Sequence, residues 1–240
     1  MAALEIKGLR KVFGGVIALN GVDIVIDLDK ITGVVGPNGS GKTTLFNTVT
    51  GFYRPTAGTI TWLGQDIGGL APQEIARKGL IRSFQQAMSF PGLTVEENVH
   101  VALEHGGRNS DGERRWNRPE ELLDFVGLTG RGAEIAGSMP FGNLRRLGVA
   151  LALAANPKLL LLDEPAAGLT DREATALAEL IKELPKMSIG VCLIDHHMNF
   201  MTALCEHLTV LDFGTKIAEG TPASVLNDPK VMEVYLGNEL

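Results

Sequence analysis

Gly36-Pro37-Asn38-Gly39-Ser40-Gly41-Lys42-Thr43-Thr44 carries glycines, a lysine and a hydroxyl at the G-x-x-x-x-G-K-[ST] spacing, directly after the apolar run Ile31-Thr32-Gly33-Val34-Val35. Such glycines let successive backbone N–H groups converge on an anion, and the helix that follows adds the positive end of its dipole. In this pattern the backbone from Asn38 through Gly39, Ser40 and Gly41 to Thr44 cradles a triphosphate. Lys42 reaches its β- and γ-phosphates, and the Thr43 hydroxyl ligates Mg²⁺. A second apolar run, Leu159-Leu160-Leu161-Leu162, ends in Asp163-Glu164-Pro165. Burying four leucines leaves both acids at the carboxyl end of a strand. There Asp163 can hold Mg²⁺ through a water, and Glu164, on the other side of the pleat, can polarise the water that attacks the γ-phosphate.

These groups need a scaffold of buried strands with helices between them. Leu4 to Arg10, Val16 to Ala18 and Val22 to Asp27 read as an antiparallel meander punctuated by Gly14-Gly15 and Asn20-Gly21. Strands are predicted over Ile31 to Val35, Thr59 to Leu63, Leu159 to Leu162, Gly190 to Ile194 and Leu208 to Leu211. The helix opened by the phosphate loop stops at Gly51. Others are predicted over Val95 to Leu103, Glu120 to Val126, Leu144 to Ala154, Glu173 to Leu184 and Met198 to Cys205, with one or two short ones between Pro222 and Leu236. The expected fold class is α/β: a mostly parallel sheet flanked by helices, with an antiparallel β subdomain and an inserted α-helical subdomain. The expected division is a single domain whose core spans 1–84 and 157–240, interrupted by helices over 85–156. Within these helices Gly106 to Glu113, polar and glycine-rich, reads as an exposed mobile loop.

A chain of 240 residues with 45% hydrophobic content can bury a substantial core, and a formal net charge of −6 argues against a broad nucleic-acid surface. Cys192 and Cys205 have no metal-ligand spacing and read as reduced core thiols. No apolar run has the length of a signal peptide or a membrane span, so the expected protein does not cross a membrane by itself, which leaves open docking onto a protein that does.

With these residues in order, the chain resembles the nucleotide-binding subunit of ATP-binding cassette (ABC) transporters over essentially its whole length. The resemblance implies an ATPase that uses ATP and Mg²⁺. It implies that Phe13 stacks on adenine. In Arg82-Ser83-Phe84-Gln85 the glutamine, Gln85, would contact Mg²⁺ or the attacking water. In Leu193-Ile194-Asp195-His196-His197 the first histidine, His196, would be the switch that binds the γ-phosphate and holds Glu164 and the water in line. Apolar Met88 to Leu93 falls where the family receives a coupling helix.

Two stretches depart from the family. Met139-Pro140-Phe141-Gly142-Asn143 stands where a Leu-Ser-Gly-Gly-Gln signature is usual, and Pro140 offers neither a hydroxyl nor an N–H to a phosphate. Gly142 and the helix start after it keep an anion-binding character. Thr170 replaces a frequent aspartate. Family members close head to tail in pairs, so an altered signature would act on the nucleotide held by a second cassette, identical or related. Other implied partners are transmembrane permease subunits, at the inner face of the cell membrane. Gly92-Leu93-Thr94-Val95-Glu96-Glu97-Asn98, Asp163 to Leu169, and the tail Glu219-Gly220-Thr221-Pro222 with Val234-Tyr235-Leu236-Gly237 are similar to the branched-chain amino acid uptake group. Importers of urea, amides or carboxylates share this look. A catalytically silent cassette and a soluble non-transport ATPase are the other readings.

Overall fold

The structure is a computed structural model that describes residues 2–83, 89–106 and 114–236. Its chain order is β1 (Ala2–Phe13), β2 (Val16–Asp27), β3 (Ile31–Val35), α1 (Lys42–Val49), β4 (Ala57–Trp62), β5 (Gln65–Asp66), α2 (Pro72–Arg77) and β6 (Leu80–Ser83). Among the described residues, three α-helices then precede the next strand: α3 (Val95–His105), α4 (Pro119–Phe125) and α5 (Phe141–Ala154). There follow β7 (Leu159–Asp163), α6 (Asp171–Lys186), β8 (Gly190–Ile194), α7 (Met198–Leu204), β9 (His207–Asp212), β10 (Thr215–Gly220), α8 (Pro222–Leu226) and α9 (Pro229–Leu236). Residues Gly107 to Glu113, expected to form a mobile loop, lie outside the described residues.

Two sheets form. One is antiparallel, in the order β2-β1-β4-β5; the other runs β10-β9-β3-β8-β7-β6 and is parallel except for the β10–β9 hairpin. The predicted break at Asn20-Gly21 does not end a strand. Gly21 adopts φ 71° and the β1–β2 register shifts between Leu9↔Val22 and Lys11↔Leu19, so the glycine absorbs a bulge and the strand continues.

Strand β7 explains the layering. Its four leucines are all buried, yet Leu159 and Leu161 join one apolar cluster while Leu160 and Leu162 join another, the period-2 alternation of a strand covered on both faces. The first cluster contains Leu45, Phe46 and Val49 of α1 together with Leu4, Ile6, Ile24 and Ile60 of the antiparallel sheet. Helix α1 is therefore held between the two sheets. The second cluster takes in Val95, Val99 and Leu103 of α3, Leu122 and Leu123 of α4, and Leu147 and Leu153 of α5. Among the described residues no helix is long and apolar enough to cross a membrane.

Leu161→Ala, at a fully buried position between α1 and the sheet, is expected to destabilise the fold by about 2–5 kcal/mol. Val25→Ala, on the exposed side of β2, should stay within about 0.5 kcal/mol. Urea midpoints at unchanged m-value measure both.

Candidate active site

The phosphate loop leaves a strand whose five residues are all buried and enters α1 at Gly41, which adopts φ 106°. Glycine is required sterically here. A Cβ on Gly36 would stand 2.1 Å from the Leu211 carbonyl oxygen, and one on Gly41 would stand 2.7 Å from that of Ala18. A Cβ on Gly39, by contrast, would meet nothing within 4 Å. Lys42 is 7% exposed, and its ammonium donates to the carbonyls of Gly36 at 2.7 Å and Pro37 at 2.9 Å, with Ser40 Oγ at 3.5 Å. Burial lowers the Lys42 pKa from the ordinary lysine value, while the negative charges of Glu164 and Asp163 act in the opposite sense. Asn38, Gly39, Gly41, Lys42, Thr43, Thr44 and Glu164 line one cleft of about 340 Å³, whose remaining wall is Val16 to Ala18 and Phe213.

The paired carboxylates diverge as soon as β7 ends. Asp163 is buried, and its Oδ2 receives Arg82 of β6 at 2.5 Å; the same guanidinium donates to Asn47 Oδ1 of α1 at 2.6 Å. Glu164 faces the cleft instead. Its φ of 46° is unusual for a residue with a side chain and carries a strain of about 1–3 kcal/mol. Its backbone N–H is held by the Ile194 carbonyl at 2.7 Å, which ties the acid to the end of β8.

Beyond β8 the chain delivers Asp195, His196 and His197. Asp195 is fully buried; Oδ2 accepts the Ala166 N–H at 3.1 Å, and Oδ1 accepts the His197 N–H at 2.9 Å and contacts His197 Nδ1 at 2.8 Å. His196 lies half-exposed, with Nδ1 3.7 Å from Glu164 Oε1. That distance exceeds a hydrogen bond but puts the two groups side by side. In the sequence, Asp195 and Arg82 figure only as parts of motifs. The visible signal for Asp195 was an acid directly after an all-apolar strand; Arg82 had none, because its carboxylate is 81 residues away.

The other expected positions are spread more widely. Phe13, 40% exposed at the end of β1, meets Tyr53 edge-on at 5.0 Å and has Lys11 Nζ 4.7 Å above its ring; its strand neighbour Val16, rather than Phe13 itself, lines the cleft. Phe213, 86% exposed on the same cleft, was not anticipated. Gln85 lies outside the described residues, as does Met88. Gly142 sits in the first turn of α5, where a Cβ would stand 2.3 Å from Glu173 Oε1 of α6. Helix α5 begins at Phe141, earlier than expected, because Pro140 fits the non-helical cap position (φ −55°, ψ 148°) and its carbonyl accepts the N–H groups of Asn143 and Leu144. Thr170, the second departure, caps α6 reciprocally with Glu173: Glu173 Oε2 accepts from Thr170 N at 3.0 Å and Oγ1 at 2.7 Å. Those hydrogen bonds hold the Glu173 carboxyl below its ordinary pKa.

The sequence model of the family described as ABC transporter matches residues 19–167, from β2 through the phosphate loop to the turn after the carboxylates. The chain belongs to that family. A second model, described as branched-chain amino acid ATP-binding cassette transporter, matches residues 215–240. BraF of Pseudomonas aeruginosa, a high-affinity branched-chain amino acid transport ATP-binding protein, is 38% identical over 249 residues, covering 98% of this chain and 97% of its own. LivG of Escherichia coli K12, described in the same terms, is 38% identical over 248 residues with the same coverage. Among solved structures, the ADP conformation of MJ1267, an ATP-binding cassette of an ABC transporter, has a TM-score of 0.89 at 32% identity and covers 99% of both chains. The cassette fold is thus the expected P-loop ABC fold, with its mixed parallel and antiparallel sheets and flanking helices.

Arg82→Met strands the Asp163 carboxylate in a buried setting, and a loss of about 3–5 kcal/mol is expected by chemical denaturation. The double variant Arg82→Met/Asp163→Leu should recover a large part of it. Additive losses would show that the pair does not couple the two strands.

Proposed function

We propose that this cassette is the ATP-hydrolysing subunit of a membrane importer for branched-chain or closely related amino acids. One observation carries the reading: the buried Lys42 ammonium, the Thr43 hydroxyl and the Glu164 carboxylate share one cleft at the carboxyl ends of β3 and β7. Full-length similarity to BraF and LivG, and the match of the C-terminal segment to the branched-chain model, support the class of solute.

In this reading the N–H groups from Asn38 to Thr44 receive the phosphates of ATP, and Lys42 exchanges the carbonyls of its own loop for β- and γ-phosphate oxygens. Thr43 and Gln85 would hold Mg²⁺, with Asp163, whose Oδ2 is taken by Arg82, reaching it through a water; this all-oxygen set suits a hard cation, which when bound would neutralise phosphate charge. Glu164 accepts a proton from the water whose oxygen attacks the γ-phosphorus, as the bond to the ADP oxygen breaks. His196, beside Glu164, hydrogen-bonds the γ-phosphate and keeps acid and water aligned. Phe13 supplies a stacking face for adenine from the rim of the antiparallel sheet.

Gly142 and the start of α5 belong, in the same proposal, to the nucleotide of a second cassette, identical or related, that closes head to tail on this one. The remaining partners are transmembrane permease subunits that seat this cassette peripherally on the inner face of the cell membrane. The helices between β6 and β7 transmit closure to them.

Glu164→Gln is expected to lower kcat for ATP hydrolysis by about 100-fold or more in the assembled transporter while ATP affinity stays within about threefold. Equal rates would sink Glu164 as the base and favour a silent cassette. Pro140→Ser adds a capping hydroxyl to α5 and is expected to raise turnover. Unchanged ATPase rate and ATP affinity would remove the signature argument.

A further inference from the structure

Asp195, His196 and His197 place three donor atoms within 4.8 Å of one another, all at the end of β8. His197 Nδ1 is 2.8 Å and His196 Nδ1 3.8 Å from the same Asp195 oxygen, and the imidazoles lie tilted with centroids 4.2 Å apart. Four-coordinate Zn²⁺ with ligand bonds of about 2.0–2.1 Å separates neighbouring donors by roughly 3.3 Å. The two observed separations from Asp195 straddle that value, and the two imidazole donors lie within 4.8 Å of each other, so ring rotation is what must close the set.

The surroundings suit an ion as well as the distances do. The Asp195 carboxylate is fully buried and oriented by the Ala166 N–H on its other oxygen, the kind of hydrogen bond that fixes metal ligands. The two side chains above it are 51% and 48% exposed, so an ion can enter from solvent and keep an outer position for water. Two imidazoles and one carboxylate select a borderline cation such as Zn²⁺ or Co²⁺ over Mg²⁺. Both cysteines are buried; desolvation pushes the Cys205 thiol up to about 12 and Cys192 higher still, so neither competes as a thiolate.

We propose that Asp195, His196 and His197 form a transition-metal site, distinct from the oxygen set around Thr43, and that an ion bound there withdraws His196 from the nucleotide and slows hydrolysis. Glu164 Oε1, 3.7 Å from His196 Nδ1, is placed to join the ion as a further ligand. The inhibitory half rests on the roles proposed above for His196 and Glu164; the binding half does not.

The full chain, stripped with chelator and free of nucleotide, is titrated with CoCl₂ and ZnCl₂, reading visible Co²⁺ d–d absorption and calorimetric stoichiometry. One ion per chain is expected, with His197→Ala binding at least about tenfold more weakly and His100→Ala, at the exposed His100–Glu104 pair of α3, binding as wild type. Equal affinity in wild type and His197→Ala overturns the site and leaves His197 as a hydrogen-bond partner of Asp195. Transporter ATPase is then measured at saturating MgATP with free Zn²⁺ set by a buffer: wild type should be inhibited and His197→Ala resistant. Equal inhibition of both overturns the regulatory half. His196→Ala measured without zinc tests the underlying catalytic reading separately.

Discussion

Backbone pairing between three parallel strands sets the level of the glycine loop, Glu164 and the Asp195–His197 cluster. In the register of the central sheet Val34 of β3 faces Ile194 of β8, and Ile194 faces Asp163 of β7. The chain therefore leaves all three strands at one height, and whatever follows each strand is delivered to the same edge: the glycine loop, Glu164, and Asp195 with its histidines. Ladder hydrogen bonds along completely buried strands enforce that alignment, since a slip of one residue would draw the Asp163 carboxylate into the apolar interior or leave ladder groups unpaired at the strand ends. The site is a property of register before it is a property of side chains.

Arg82 and Asp195 then stitch the edge together. Arg82 spans from Asp163 to Asn47, linking an edge strand, a central strand and the helix of the phosphate loop; Asp195 spans from Ala166 to His197, linking the turns after β7 and β8. Both are buried charges with designated acceptors or donors, and so they hold loops that would otherwise be independent. Comparable links run from α5 to the turn after β7 and to α6: Arg145, 4.9 Å from the Phe141 ring, donates to the Ala167 carbonyl, and Glu173 of α6 packs on Gly142 while closing the Thr170 cap. The segment around Gly142 is thereby in contact, through Arg145 and Glu173, with the turn that follows Glu164.

What could be read in the sequence was whatever is local. The glycine loop, the four-leucine strand and Gly190 to Ile194 announce themselves through spacing and apolar runs, and the structure places them as read. Strand β6 was missed because four residues with an arginine among them carry no strand signature alone; only pairing with β7 makes them one. Strand β10 escaped for a similar reason, being half-exposed and antiparallel on an edge. Asn20-Gly21 misled because a turn dipeptide and a bulge demand the same positive φ. Phe13 was placed by its motif, but its ring is set by Tyr53 and Lys11, which no local pattern announces.

The grip of Lys42 on the carbonyls of Gly36 and Pro37 has a further meaning for selectivity. The ammonium is already solvated by its own loop, so any incoming anion must compete with built-in acceptors rather than with bulk water. A small monovalent ion offers too little in exchange, whereas a polyphosphate replaces both carbonyls and engages the backbone N–H groups in the same act. In the proposed function those resting hydrogen bonds favour an anion that can replace both carbonyls at once over one that can replace neither.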